Sequence, residues 1–362
     1  MRFPAFLLAA LVAMLALLAA ACGGDDDDTD DTATVATSTE AATATATIPP
    51  KPSGSITVYA GRSEALVKPI IEQFSKDTGI TVDVKYSGTD ALAALLVEEG
   101  SKSPADVYFS QDGGALGAVK NAGLLQTLPE SIASLVPAQY RAKDNSWVGI
   151  SGRSRVVVYN PDIVPAADLP TSYKQLTDPK WKGKVGWAPT NASFQTFITA
   201  VREIDGEPAA KTWLETMASN DVKTYANNGA IVTAVANGEI SVGLVNHYYL
   251  WGFVKDQGEG FKAKNHYLAA GDPGALVNVA GAAVLKSSKN KPAAEAFVKY
   301  LLEKNAQEYF AKETFEYPLI NGVSPDARIK PLSELKPPSI DLSDLDDLAG
   351  TLALLRSTGA LK

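Results

Sequence analysis

The stretch ITVYAGRSEALVKPIIEQFSKDTGITVDVKY, Ile56 to Tyr86, contains a complete strand–helix–strand unit. ITVY is a short β-branched and aromatic run and predicts a strand. Leu66, Val67, Ile70, Ile71 and Phe74 then recur at helical spacing and define one apolar face, with Ser63 placed to cap the helix and Gly79 to end it. ITVDVKY predicts a second strand. Strands that alternate with helices in this way form βαβ units around a mostly parallel sheet.

The same alternation continues downstream. A helix is expected from about Ala91 to Glu99, a strand in ADVYFS, and a helical segment in GALGAVKNAGLL. After Gly152, SRVVVYN and KVGWAP predict strands, and SFQTFITAVREI and PAAKTWLETMAS predict helices. VKTYA, a short helix near Ala230 to Asn237, and the strand ISVGLV follow. YLWGFVKDQ is helical in pattern, and HYLAAGDPGALVNVAGAAVL runs back toward the first region. One amphipathic helix is expected from Pro292 to Lys312, before a Pro- and Leu-rich tail. Two α/β lobes joined by crossing strands account for the length; a single large α/β domain is the alternative.

The N-terminus has a separate character. MRFPAFLLAALVAMLALLAAAC carries one basic residue, an apolar run, small residues and then Cys22, the pattern of a secretory leader of residues 1–22. Cys22 is the single cysteine and follows Ala19-Ala20-Ala21, which resembles a bacterial lipobox. Lipidation at Cys22 would tether the protein to the outer side of the cytoplasmic membrane, and a lone cysteine allows no internal disulfide. Residues 23–54 form an acidic, Thr/Ala-rich tether that has too little apolar surface to fold.

Charge narrows the range of partners. The net charge is −8, but seven of the 41 acidic residues lie between 23 and 50. Of the 33 basic residues only Arg2 precedes Lys51, so the folded part carries a net −2. A region with no basic excess is not built for nucleic acid. The two histidines stand far from any serine elbow, and neither G-x-S-x-G nor H-E-x-x-H occurs. Nothing here assembles a hydrolase, and no enzyme is expected.

In open α/β sheets ligands bind beyond the carboxyl ends of strands, where helix N-termini point their N–H groups. Five stretches meet this description: Arg62 and Ser63; Gln111 and Asp112; Asn191, Ala192 and Ser193; Asn228; and Asn246 to Tyr249. In a continuing strand Tyr248 and Tyr249 would point to opposite faces, so they can share a ligand only if the strand ends near Asn246. A phenol with a pKa of about 10 gives up its proton to a highly charged cation, and phenolate suits a hard ion such as Fe³⁺. On the pair alone, cleft-wall aromatics or core residues are the favoured reading.

Six longer stretches, with EYPL near the end, change that balance. ITVYAGRSEAL, ADVYFSQDGGALGAVKNAGLL, GISGRSRVVVYN, DPKWKGKVGWAPTNASF, VANGEISVGLVNHYYLW and DPGALVNVAGAAVLKSSKN together resemble the ferric-iron-binding proteins. These are extracytoplasmic solute receptors of iron(III) ABC transporters. The resemblance runs from about Ser55 to the tail. It implies a two-lobed periplasmic-binding-protein fold, each lobe a mixed, mostly parallel sheet flanked by helices, with the ligand cleft between. The boundaries would be 55–154 plus about 279–329 for one lobe, and 155–278 plus about 330–362 for the other.

The resemblance also implies roles. Tyr248 and Tyr249 match two iron ligands. Asn191, Ala192, Ser193, Asn228 and Asn246 match a cradle for a synergistic anion such as carbonate or phosphate. The cargo would be Fe³⁺ with that anion, passed to an ABC permease by a monomeric receptor; an oxyanion or small organic ligand such as a phosphonate is the alternative. The departures fall on the first lobe, where Ser63 and Gln111 replace a histidine and a glutamate ligand of some members. Asp112, capping the helix at Gly113, and Arg62 are further contacts expected there. His247 and His266 are expected to be packing or solvent-facing residues, and Arg153 and Arg155 to be held in structural ion pairs.

Overall fold

The computed structural model describes residues 52–361, so the leader, Cys22 and nearly all of the tether lie outside the described residues. β1 (Ser55–Ala60), α1 (Glu64–Thr78) and β2 (Thr81–Tyr86) form the first βαβ unit. α1 buries Val67, Ile70, Ile71 and Phe74, and Gly79 closes it in the left-handed region at φ 77°, which a residue without Cβ adopts freely. α2 (Thr89–Glu99), β3 (Val107–Ser110), α3 (Gly113–Asn121) and the short α4 (Glu130–Ala133) lead to β4 (Val148–Tyr159). β5 (Val185–Trp187), α5 (Ala192–Asp205), α6 (Glu207–Ser219), β6 (Lys223–Thr224), α7 (Asn228–Ala236), β7 (Val242–Asn246) and α8 (Tyr248–Gln257) follow. β8 (Lys264–His266), β9 (Val277–Val284), α9 (Lys291–Leu301), α10 (Lys304–Lys312), β10 (Tyr317–Pro318) and α11 (Leu348–Ser357) complete the order.

The strands run β2-β1-β3-β9-β4-β7-β5-β6, with β8 and β10 also on β4. The expected parallel pairing holds among the outer strands, β2 with β1, β1 with β3, β6 with β5 and β5 with β7. The strands near the middle pair antiparallel. β4 belongs to both halves: it pairs with β9 through Ser154 and with β7 from Arg155 onward. Each half has its own apolar core. The first is centred on β1, β3, β9, α1 and α9, and the second includes Trp187, Phe194, Phe197 and Trp213 packed edge to face. Among the described residues no helix is long and apolar enough to cross a membrane.

Two expectations need correction. The helix expected from Pro292 to Lys312 is two helices, α9 and α10, broken at Leu302–Glu303. The buried Gln307 amide explains how the break is tolerated, because it donates to Leu301 O (2.8 Å) and Ile150 O (2.7 Å) and accepts from Leu319 N (2.8 Å). The carbonyl freed at the helix end therefore keeps a partner. The tail also does not fall to one half. Leu342 and Leu345 pack in the first core, whereas Leu354, Leu355 and Ala360 pack in the second.

Candidate metal and anion site

β7 ends at Asn246 and α8 begins at Tyr248, so the backbone turns where the two tyrosines need it to. Their rings stack with centroids 4.3 Å apart and planes at 26°. Tyr248 is buried and Tyr249 half-buried. Close packing sets this corner: a Cβ on Gly243 of β7 would lie 2.1 Å from Ile231 of α7, so only glycine lets that helix sit against the strand. α7 and β7 together carry Asn228 and Asn246 to the same end of the sheet.

A cavity of about 320 Å³ opens on the tyrosines. Ser63, Gln111, Tyr248, Tyr249, Phe253 and Phe315 are among its walls, so residues following β1, β3 and β7 meet there. Burial pushes the Tyr248 phenol well above its ordinary range, and Tyr249 beside it adds to the rise. The Arg62 and Arg153 guanidiniums act in the opposite direction. The Tyr248 phenol is therefore neutral near pH 7, and any cation bound through its oxygen would have to displace the proton. Among the described residues no group of three or more His, Cys, Asp or Glu is placed to hold a metal, and the ionisable oxygen donors on this wall are the two phenols with the Asp256 and Glu313 carboxylates.

The five cradle residues lie near this cavity in sequence but do not line it; Gly229, next to Asn228, does. Asn191, Ser193 and Asn228 hydrogen-bond one another instead. Asn191 caps α5, its Oδ1 accepting from Ser193 N at 3.1 Å and from Ser193 Oγ at 2.6 Å. Asn228 Nδ2 donates to Ser193 Oγ at 3.4 Å, and Arg155 Nη1 donates to Ser193 O at 2.9 Å. Ala192 is buried in the first turn of α5. Asn246 Nδ2 and Arg155 Nε and Nη2 are buried donors without partners. Buried N–H groups of this kind are costly unless a ligand or water accepts from them.

The arginines overturn a further expectation. Neither Arg153 nor Arg155 forms an ion pair among the described residues. Arg153 donates only to Val279 O (3.4 Å), and Arg155 donates to Ser193 and stacks on Phe197 at 4.9 Å. Burial, with Arg153 alongside, pushes Arg155 down to about 9. Arg62 is the arginine that does pair: its Nη2 lies 2.6 Å from Glu316 Oε2, both side chains being buried. Asp112 caps α3 as expected, accepting from Ala115 N at 3.1 Å. Its burial raises the pKa against Arg153, and burial and Asp112 together push Asp90 up to about 7.

Both histidines are packing residues. His247 Nδ1 accepts from Ser154 N (3.1 Å), and its ring stacks on Tyr317 at 4.6 Å. Burial pushes it down to about 4, so it stays neutral. His266 sits on β8 with Nε2 2.8 Å from Pro170 O.

Residues 102–341 match the family described as bacterial extracellular solute-binding protein. The Fe(3+)-binding periplasmic protein of Serratia marcescens is 37% identical over 295 residues, 80% of this chain and 86% of that protein. The major ferric iron-binding protein of Neisseria meningitidis serogroup B is 36% identical over 310 residues, 84% of this chain and 92% of that protein. The crystal structure of iron-bound HitA from Pseudomonas aeruginosa superposes with a TM-score of 0.81 at 37% identity, covering 84% of this chain and 99% of that one. The chain belongs to the ferric-iron-binding protein family.

That family consists of solute-binding transport proteins rather than enzymes. In this ferric-iron-binding protein homologue the structure brings Tyr248, Tyr249, Ser63 and Gln111 of the sequence reading to one cavity, and Asp112 caps α3 as read. Sequence reasoning missed Glu316, which lies 254 residues from Arg62 along the chain. It also missed Thr314 and Phe315 at the cavity wall. The only sequence signal for Glu316 was its place in EYPL, which says nothing about Arg62.

Proposed function

We propose that this protein captures Fe³⁺ together with a small anion such as carbonate or phosphate and delivers it to an ABC permease. Tyr248 and Tyr249 are the protein ligands, and Asn191, Ala192, Ser193, Asn228 and Asn246 hold the anion. The observation that carries this reading is the stacked tyrosine pair at the start of α8, facing a cavity whose other walls include Asp256 and Glu313. Unpartnered N–H groups of Arg155 and Asn246 beside the cradle support the anion. Residues 55–154 with about 279–329, and 155–278 with the end of the tail that carries Leu354, Leu355 and Ala360, act as two lobes that close on the ion. Secretion and lipidation at Cys22 anchor the monomeric receptor outside the cytoplasmic membrane. Ser63, Gln111, Asp112 and Arg62 complete the surroundings from the first lobe.

Ferric citrate added to the metal-free protein should produce a visible tyrosinate-to-iron charge-transfer band. If the Tyr248→Phe/Tyr249→Phe variant keeps the same band and affinity, these residues are not the ligands. A second reading, a receptor for an oxyanion such as a phosphonate, is favoured by the three buried arginines, of which only Arg62 has a carboxylate partner. Calorimetry against oxyanions without iron separates the two, since only the second reading gives tight binding in the absence of metal.

A further inference from the structure

We infer that Glu316 is a positioning residue for the iron site: it holds and neutralises Arg62, so that a guanidinium can stand beside the two tyrosines without repelling a trivalent ion. The inference rests on the iron-binding reading above and adds a residue that it does not contain.

Arg62 follows β1 at the edge of the cavity and is 2% exposed. Its charge acts on both tyrosines. An unpaired guanidinium there would oppose Fe³⁺ at the same point. Glu316 offsets the Arg62 charge and also acts on Arg153, the unpaired guanidinium that reaches Tyr248. Its Oε2 accepts from Arg62 Nη2 at 2.6 Å and from Thr314 Oγ1 at 2.9 Å, while its backbone N–H bonds Phe310 O at 3.0 Å. The other ion pairs among the described residues reach solvent, including those of Arg202 and Arg328. This one does not.

The backbone around Glu316 is specialised as well. Phe315 has φ 58°, a left-handed conformation that an aromatic residue adopts only under constraint. That conformation turns the segment between α10 and β10 so that Thr314 and Phe315 face the cavity and Glu316 faces Arg62. Glu316 Oε1 and Arg62 Nε have no partner, so the pair is not saturated and can respond to charge arriving at the tyrosines.

The test is a double-mutant cycle on the full chain, with Arg62→Gln, Glu316→Gln and the double variant. Iron affinity is measured by competition with ferric citrate, and the charge-transfer band is recorded for each. Glu316→Gln leaves the guanidinium unpaired and should weaken iron binding about tenfold or more and shift the band. Arg62→Gln/Glu316→Gln should return affinity to within about threefold of the parent. Single and double variants that bind equally weakly, or a folded Glu316→Gln with unchanged band and affinity, overturn the inference. Should Glu316→Gln not fold, Glu316→Asp keeps the charge and shortens the reach. A shifted band with weaker binding then supports the role, and an unchanged band and affinity overturns it. A parent protein with no band would instead refute the iron-binding reading itself.

Discussion

The two sides of the cavity use different chemistry. The second half of the molecule supplies Tyr248 and Tyr249, which under the proposed function become ligands when a cation takes their protons. The first half supplies Ser63 and Gln111, which hold no charge, and Arg62, whose charge is matched by Glu316. In the proposed function one side coordinates, and the other sets the electrostatic conditions for it. Glu313 of the first half and Asp256 of the second are the carboxylates on the cavity wall, so the proposed anion would add to a small supply of negative charge there.

The harshest way to break this contrast is to remove the coordinating side. Tyr248→Phe/Tyr249→Phe keeps both rings and their stacking but deletes the donor oxygens. Iron affinity should fall at least about a thousandfold, roughly 4 kcal/mol, with loss of the visible band. Competition titration measures it.

The acidic residues of the first half offer a second test. Asp90 is raised to about 7 by burial and by Asp112. A carboxyl raised on folding contributes stability below its unfolded pKa of 3.8 and loses it as pH rises through about 7. Asp90→Asn should therefore stabilise the protein by about 2–4 kcal/mol above pH 7 and make little difference near pH 4. Denaturant melts across that range check the sign. A variant equally stable at both ends would show that Asp90 carries no such strain.

The pH dependence of iron binding sharpens the contrast from the other side. Loading displaces up to two phenol protons, so each unit fall in pH should weaken apparent affinity by up to about a hundredfold. A slope near zero would mean that phenolates are not formed. The mildest change converts the first side into a ligand side: Gln111→Glu should strengthen iron binding about tenfold and reduce its dependence on added bicarbonate or phosphate. Calorimetry with and without the anion reads both effects.

What the sequence revealed follows from the range of the forces involved. The first βαβ unit, the αL stop at Gly79 and the Asp112 cap arise from neighbours within a few residues, and local patterns report them. The corner after Asn246 was legible because adjacent tyrosines make sense only where a strand stops. The Arg62–Glu316 pair joins opposite ends of the folded part, and no periodicity encodes it. The break between α9 and α10 depends on Gln307, whose polar character reads as an ordinary helix-surface residue until Ile150 and Leu319 are seen around it. Arg153 and Arg155 pointed to ion pairs because buried arginines usually have them; here backbone carbonyls and aromatic faces take that role.

β4 passes from one sheet to the other as a single uninterrupted strand, with β9 bonded along its first part. A loop would let the halves drift through many orientations, and each departure of a ligand would scatter the binding groups. If the halves close as proposed, a shared strand would act more like a leaf spring, storing displacement as twist in hydrogen-bonded backbone and returning the receptor to its resting shape for the next load.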